Sequence, residues 1–149
     1  MQIFVTGTVF ETIEALDKKR FHNQITEARI VLECLRGKNG FGKHPLIKMY
    51  TDYEDWLMCY IEAFKAYKSG EVVAAKIISR IAELYQPEWF NEEFYNKHRS
   101  RLYTKNSEHY KQWESLGESY SNWYRVDGVW KEYKQQYLIW KHHLVIIIL

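Results

Sequence analysis

The strongest constraint on the fold is an apolar repeat that lies between residues 16 and 37. Five apolar side chains recur there at spacings of four, three, four and three positions: Phe21, Ile25, Ala28, Leu32 and Leu35. Residues with this spacing share one side of an α-helix. We therefore predict a long helix with one buried stripe, and we expect it to end near Gly37.

A different side of the same helix carries polar and charged residues. Arg20, Asn23 and Glu27 fall together there. A carboxylate beside a guanidinium and an amide, on a helix anchored by its other side, can form a preorganised site for an anionic ligand. An ordinary solvated charged face is the alternative interpretation.

The positive charge of the chain is concentrated around this helix. The net charge at pH 7 is only +2, but between residues 18 and 48 eight Lys or Arg stand against two Glu. Such a block can bind phosphates. Its glycine-rich stretch, residues 38–43, lacks the GKS or GKT of a nucleotide-binding loop, so we expect no nucleotide there. Its glycines and lysines suit a flexible contact with a phosphate backbone instead.

Helices are also predicted along most of the remaining chain, after an extended start at residues 2–5 and a short turn at 10–16. A capping box at Thr51 to Glu54 is expected to open a helix that Gly70 ends. Asn91 is expected to cap a helix that carries His98.

Two more predictions concern apolar periodicity nearer the C-terminus. One helix is expected to stop before Pro87, with a stripe formed by Val72, Ala75, Ile78, Ile81 and Leu84. Residues 129–149 are expected to form an additional amphipathic helix followed by an apolar tail. The apolar tail, residues 144–149, is far too short to span a bilayer.

Length and composition favour one compact domain, residues 1–149, because 149 residues with 46% hydrophobic content can bury a real core. Cys34 and Cys59 lie in apolar patterns without metal-ligand spacing, so we expect reduced core thiols, no metal and a cytoplasmic protein. No signal peptide is expected at the start of the chain. The overall prediction is an all-α, compact single-domain helical bundle with an extended N-terminal segment, with no cofactor, no membrane partner and a monomeric state.

Six segments of the chain resemble the pyrimidine-dimer DNA glycosylase family of the endonuclease V type. In order they are LDKKRFHNQITEAR (16–29), HPLIKMY (44–50), YEDWL (53–57), PEWF (87–90), HRSRL (98–102) and SEHY (107–110). The resemblance covers about residues 1–124. It implies the helical fold of that family and a DNA glycosylase, with or without an AP-lyase activity, that acts on a damaged or modified base in double-stranded DNA.

The resemblance also implies catalytic residues. In the family the amine of the N-terminal residue attacks C1′ of the damaged nucleoside and one glutamate moves protons. Glu27 matches that glutamate, and the amine is expected to be that of Met1, because Gln2 usually blocks removal of the initiator methionine. An α-amino group has a pKa of about 8, so a useful fraction is neutral at physiological pH.

Ten residues are predicted to contact DNA, since they are basic or polar and lie in the segments that carry the charge or the resemblance. They are Lys18, Lys19, Arg20, Asn23, Arg29, Lys43, His44, Lys48, His98 and Arg99.

Alternatives stay open for several of these interpretations. His44 is equally well read as a helix-entry residue bonded to the backbone, and Arg99 as a partner of Glu92 or Glu93 in an ion pair. Trp123 and Tyr124 could stack on a base or pack in the core.

The function has alternatives too. Gln2 and Thr26 depart from the family pattern, in which an arginine precedes the glutamate. They favour a second hypothesis, a non-catalytic DNA-binding accessory protein that keeps the fold. A protein-interaction module that uses the aromatic C-terminal helix is a third.

Overall fold

The computed structural model describes residues 2–38, 44–116, 123–126 and 129–132. Its elements in chain order are α1 (Val9–Ala15), α2 (Lys18–Leu35), α3 (Pro45–Met49), α4 (Glu54–Lys68), α5 (Val72–Glu83), α6 (Glu92–Lys105), a 3₁₀ helix (Lys111–Leu116), and strands β1 (Trp123–Val126) and β2 (Val129–Glu132). The predicted all-α class is confirmed, and the short hairpin adds to it. Before α1 the chain is extended over residues 2–5, as predicted.

The prediction of a C-terminal helix is wrong where that helix was to begin. Residues 129–132 form an antiparallel strand, in which Val129 lies opposite Val126 and Glu132 opposite Trp123. The sequence between the strands, Asp127-Gly128, is a dipeptide that favours tight hairpins, and valine and tryptophan favour strands. The helical spacing of apolar residues therefore predicted the wrong secondary structure for this segment. Residues 133–149, with the apolar tail, lie outside the described residues.

Helix α2 follows the prediction closely. It runs from Lys18 to Leu35, and Gly37 after it has a φ of 73°, which glycine adopts without strain. Its buried face is wider than the apolar stripe. Gln24 is 2% exposed and Val31 is fully buried, in addition to the predicted residues.

Thr51 and Glu54 do not form the predicted capping box. Helix α4 begins at Glu54 with Tyr53 as its N-cap, and no side chain caps it. The Thr51 hydroxyl instead donates to the carbonyl oxygen of Lys48 at 3.0 Å, so it is used at the end of α3. A capping box does occur at α1, where Thr8 and Glu11 each bond the other's backbone nitrogen.

The interior is filled mainly by aromatic side chains from α4. Trp56, Tyr60 and Phe64 are all buried there, and Phe21 of α2 stacks on Phe64 with ring centroids 5.3 Å apart. Phe94 of α6 is also fully buried, and its ring packs against the ring of His98 with the two centroids 4.4 Å apart. The core therefore joins α2, α4 and α6 behind the extended start of the chain.

Helix α5 buries its small side chains rather than its large apolar ones. Ala75, Ser79 and Ala82 face the interior, because small residues let α5 approach α4 closely. Several large apolar side chains of the same segment are exposed instead: Val72, Val73, Ile77, Ile81, Leu84 and Tyr85. The predicted helix therefore forms and ends before Pro87, although three of the residues that marked it, Val72, Ile81 and Leu84, are exposed.

Two smaller predictions concern the cysteines and the helix that follows Asn91. Cys34 is buried, Cys59 is half-buried, and both are free thiols. Asn91 caps α6, since its Oδ1 accepts a hydrogen bond from Phe94 N at 2.9 Å. Among the helices of the described residues, none combines the length and apolar character that crossing a bilayer requires.

Candidate active site

The extended start of the chain is held by side chains rather than by a neighbouring strand. The backbone nitrogen of Phe4 donates to Oε1 of Gln24 at 2.8 Å, and Nε2 of Gln24 donates to the carbonyl oxygen of Gln2 at 3.1 Å. The hydroxyl of Tyr60 lies 2.7 Å from the carbonyl oxygen of Phe4 and 2.8 Å from Gln24 Oε1. These contacts attach residues 2–4 to α2 and α4.

Residues 5 and 6 are held mainly from α6. The backbone nitrogen of Val5 donates to Nδ1 of His98 at 2.8 Å. The carbonyl oxygen of Thr6 accepts two hydrogen bonds from Arg99, at 3.1 Å from Nε and 2.7 Å from Nη2. The backbone of this segment thus satisfies its polar groups through helical side chains, as buried backbone groups must.

Glu27 lies one helical turn beyond Gln24 on α2, and it is half-buried. Because Gln24 bonds the carbonyl of residue 2, the backbone of residue 2 lies beside this part of the helix. Arg20 and Asn23 occupy the same side of α2 as Glu27, as their spacing predicted. A carboxylate, an amide and a guanidinium therefore line the surface next to the start of the chain.

Arg20 is oriented by residues outside its own helix. Its Nη1 lies 3.0 Å from Oδ2 of Asp17, and the hydroxyl of Tyr110 donates to the same carboxylate. The backbone nitrogen of Asp17 in turn donates to the Tyr110 hydroxyl at 2.8 Å. Burial raises the pKa of Tyr110, and the hydrogen bond to Asp17 raises it further, so the hydroxyl stays a donor.

These contacts bring the C-terminal end of α6 next to the N-terminal end of α2. The result is a basic cluster, which we define as Lys19, Arg20, Arg101 and Lys105. Burial lowers the pKa of Lys105, and the positive charges of Arg101, Arg20 and Lys19 lower it further. Four cations this close to one another provide a surface on which phosphates are favoured.

His44 caps α3. Its Nδ1 accepts a hydrogen bond from the backbone nitrogen of Leu46 at 3.1 Å, which supports the helix-entry interpretation. Burial lowers the pKa of His44, and the positive charge of the chain's amino terminus lowers it further. The ring is therefore neutral at pH 7, with its proton on Nε2.

Comparison with known families gives one match. Residues 1–66 match the model of a family described as pyrimidine dimer DNA glycosylase. This N-terminal part of the chain is similar to that family. No curated protein and no solved structure gives a significant match.

The matched residues include Gln24 and Tyr60, the two side chains whose hydrogen bonds attach the start of the chain to α2 and α4. They also include Glu27 and His44. The match stops within α4. The predicted resemblance of residues 67–124, including the segment of α6 with His98 and Arg99, stays a prediction.

The other residues predicted to contact DNA lie on different elements and on different sides of α2. Lys18, Lys19, Asn23 and Arg29 are exposed on α2, and Lys48 is exposed on α3. Since successive helical residues are about 100° apart, Lys18 and Arg29 lie on the opposite edge of α2 from Glu27. Met1 and Lys43, like most of the glycine-rich stretch, lie outside the described residues.

The structure places His98 and Arg99 against the start of the chain, and DNA contact by either residue stays a prediction. His98 is only 8% exposed, and its Nδ1 already accepts a hydrogen bond from the backbone nitrogen of Val5. Arg99 binds Thr6 and also pairs with Glu92 at 2.8 Å, which is the ion pair that the alternative interpretation proposed. Both residues therefore hold the start of the chain in place.

Sequence reasoning missed Gln24 and Tyr60. Gln24 falls at a helical position between the buried Phe21 and Ala28, so a polar side chain inside an apolar face was the available signal. A buried glutamine must find partners for its amide. Nothing in the local pattern indicated that those partners would be the backbone of residues 2 and 4.

Proposed function

We propose that this protein is a DNA glycosylase with an associated AP-lyase activity, in which the amine at the start of the chain is the nucleophile and Glu27 is the proton-transfer residue. The observation that carries the proposal is the bond between Gln24 and the carbonyl of residue 2, one helical turn from Glu27. The family of residues 1–66 supports the same reaction class.

The first chemical step replaces the base by the enzyme. The lone pair of the neutral amine forms a bond to C1′ of the damaged nucleoside, and the C1′–N bond to the base breaks, so that the base nitrogen keeps that electron pair. Opening of the sugar ring then breaks the C1′–O4′ bond and forms an iminium between the amine and C1′. The amine and solvent supply the two protons that the base nitrogen and O4′ take up.

The second step cuts the DNA strand. The carboxylate of Glu27 removes a proton from C2′, a C2′–C3′ double bond forms, and the C3′–O3′ bond breaks so that the phosphate leaves with the bonding pair. A half-buried carboxylate on a rigid helix suits this role because its position relative to the bound sugar is preset.

Binding of the duplex is assigned to the basic side of the molecule. The basic cluster, together with the exposed Asn23 and Lys48, provides contacts for DNA phosphates. Lys18 and Arg29, on the opposite edge of α2 from Glu27, are left out of this surface. An enzyme of this class must deform the duplex to reach a nucleotide, which costs a few kcal/mol, and phosphate contacts offset that cost. Binding should therefore weaken steeply as salt is added.

Borohydride trapping tests the catalytic proposal. Duplexes that carry a cyclobutane pyrimidine dimer or an abasic site are incubated with the protein, and hydride reduces any iminium to a stable amine. We expect a covalent adduct, which peptide mass spectrometry locates at the N-terminal residue. No adduct on either substrate would refute the glycosylase proposal.

Substitution of the glutamate tests its separate role. Glu27→Gln should abolish strand cleavage and leave DNA affinity nearly unchanged. Glu33→Gln is the matched control, because Glu33 is a half-buried glutamate on the same helix but on a different side. Equal cleavage by both variants would remove Glu27 from the mechanism.

A non-catalytic DNA-binding protein is the second candidate function. Thr26, where the family pattern has an arginine, is exposed immediately before Glu27 and brings no positive charge to that position. Salt-sensitive DNA binding without any trapped adduct would favour this candidate over the enzyme.

A further inference from the structure

We propose that Gln24 is a positioning residue, whose side-chain amide, supported by Tyr60, holds the start of the chain so that its amine is directed at the sugar beside Glu27. This inference rests on the function proposed above.

The orientation of the Gln24 amide is determined by its partners. Oε1 must be the acceptor for the Phe4 backbone nitrogen at 2.8 Å, and Nε2 must be the donor to the Gln2 carbonyl at 3.1 Å. A flipped amide would oppose a donor to a donor and an acceptor to an acceptor. The side chain therefore makes the two bonds that a neighbouring parallel strand would make to residues 2 and 4.

Tyr60 completes the arrangement from the other helix. Its hydroxyl oxygen lies 2.7 Å from the Phe4 carbonyl oxygen and 2.8 Å from Gln24 Oε1, so the hydroxyl can donate to either of the two oxygens. Burial raises the pKa of Tyr60, and Tyr50 nearby raises it further, so the hydroxyl keeps its proton. Tyr60 is fully buried and Gln24 is 2% exposed, which leaves the amide little freedom to reorient.

The hydrogen bonds of Gln24 should affect the rate of catalysis as well as stability, because they lie close to the start of the chain. The carbonyl that Gln24 Nε2 binds belongs to residue 2, so the amine of the first residue can lie no farther from the held atom than two residues of extended chain, about 7 Å. Nucleophilic attack needs reacting atoms about 3 to 3.5 Å apart, and a misplacement of about 1 Å can cost about 100-fold in rate. Because Gln24 and Glu27 lie on the same helix, the carbonyl that Gln24 holds and the carboxylate of Glu27 are positioned relative to each other.

Gln24→Glu is the decisive variant because it keeps the size of the side chain. Its ionised carboxylate would place an oxygen against the carbonyl oxygen of Gln2 and repel it. Its protonated form would donate to that oxygen and restore the native pair of bonds. The experiment measures single-turnover borohydride trapping on an abasic duplex, together with DNA affinity and circular dichroism, at pH 8 and at pH 5.5.

We expect Gln24→Glu to trap about 100-fold more slowly than the unmodified protein at pH 8, with DNA affinity unchanged within about threefold and an unchanged far-ultraviolet spectrum. The ratio of the two rates should approach one at pH 5.5. Ser79→Ala is the control for general destabilisation, because Ser79 Oγ accepts a buried bond from Phe10 N at 2.9 Å away from this arrangement. It should trap at the normal rate at both pH values.

Two outcomes separate this inference from the proposed function. No trapping by the unmodified protein refutes the function itself. Normal trapping by the unmodified protein and by folded Gln24→Glu at pH 8 refutes only the positioning role. If Gln24→Glu does not fold at pH 8, Tyr60→Phe decides: slower trapping with unchanged DNA affinity supports the role, and an unchanged rate overturns it.

Discussion

The ring of His98 accepts a hydrogen bond at Nδ1 from the backbone nitrogen of Val5, 2.8 Å away and 93 positions earlier in the chain. Burial lowers the pKa of His98 from 6.5 to about 3, and the charge of Arg101 contributes to the shift. The native ring is therefore neutral, with its proton on Nε2. This contact joins α6 to the extended start of the chain.

Stability should fall on acidification because of His98. Its pKa is lower in the native state than in the unfolded chain, so the unfolded chain takes up the proton first. The stabilisation is complete above about pH 6.5 and is lost as the pH falls toward 3. We expect about 2 kcal/mol less unfolding free energy at pH 5 than at pH 7 from this residue.

Urea unfolding at pH 7, 6 and 5 measures this effect. His98→Gln removes the titrating ring but leaves all other ionisable groups, so the variant should show a shallower loss. Parallel pH dependence of the two proteins would contradict the assignment to His98.

Tyr50 offers a route to higher stability. It is fully buried and stacks on Trp56, yet among the described residues its hydroxyl has no hydrogen-bond partner. Since an unsatisfied buried hydroxyl is costly, Tyr50→Phe should raise the unfolding free energy by about 1 kcal/mol. Thermal and urea unfolding measure it. Tyr60→Phe is the contrasting control, expected to be destabilising because that hydroxyl is bonded; a loss of stability in Tyr50→Phe would count against the prediction.

Arg99 should not be replaceable by lysine. Its guanidinium makes two bonds to the Thr6 carbonyl and lies over the ring of Tyr95 with a separation of 5.8 Å. Lysine lacks the planar fork, so Arg99→Lys should cost about 1 to 2 kcal/mol of unfolding free energy. Glu92→Gln should change stability by less than about 0.5 kcal/mol, because the Glu92 side chain is 75% exposed. Chemical denaturation compares the two, and equal losses would show that the ion pair, not the Thr6 contact, matters.

The outer face of α5 should tolerate charge. Ile77 is 55% exposed, so Ile77→Lys should change the unfolding free energy by no more than about 0.5 kcal/mol. Ala82 is 1% exposed, and Ala82→Lys should cost several kcal/mol because it buries a charge. Thermal denaturation with light scattering measures both stability and solubility. A large loss in Ile77→Lys would mean that this face is covered in solution.

Several helices could be predicted from the sequence because their signals are local. The apolar period of α2 and Gly37 after it both act over a few residues, and so does the Asn91 cap of α6. The same local signals failed where a competing one was overlooked. Asp127-Gly128 favours a hairpin over the helical period, and on α5 the small residues, rather than the large ones, set the packing against α4.

The candidate site divides in the same way. The sequence by itself determined which residue types stand near Glu27 on α2, because their order along one helix sets the face they share. Only the tertiary structure decided that Gln24, Tyr60, His98 and Arg99 hold the start of the chain. Their partners are backbone atoms between 20 and 93 positions away, and hydrogen bonds over such separations produce no periodic pattern in the sequence.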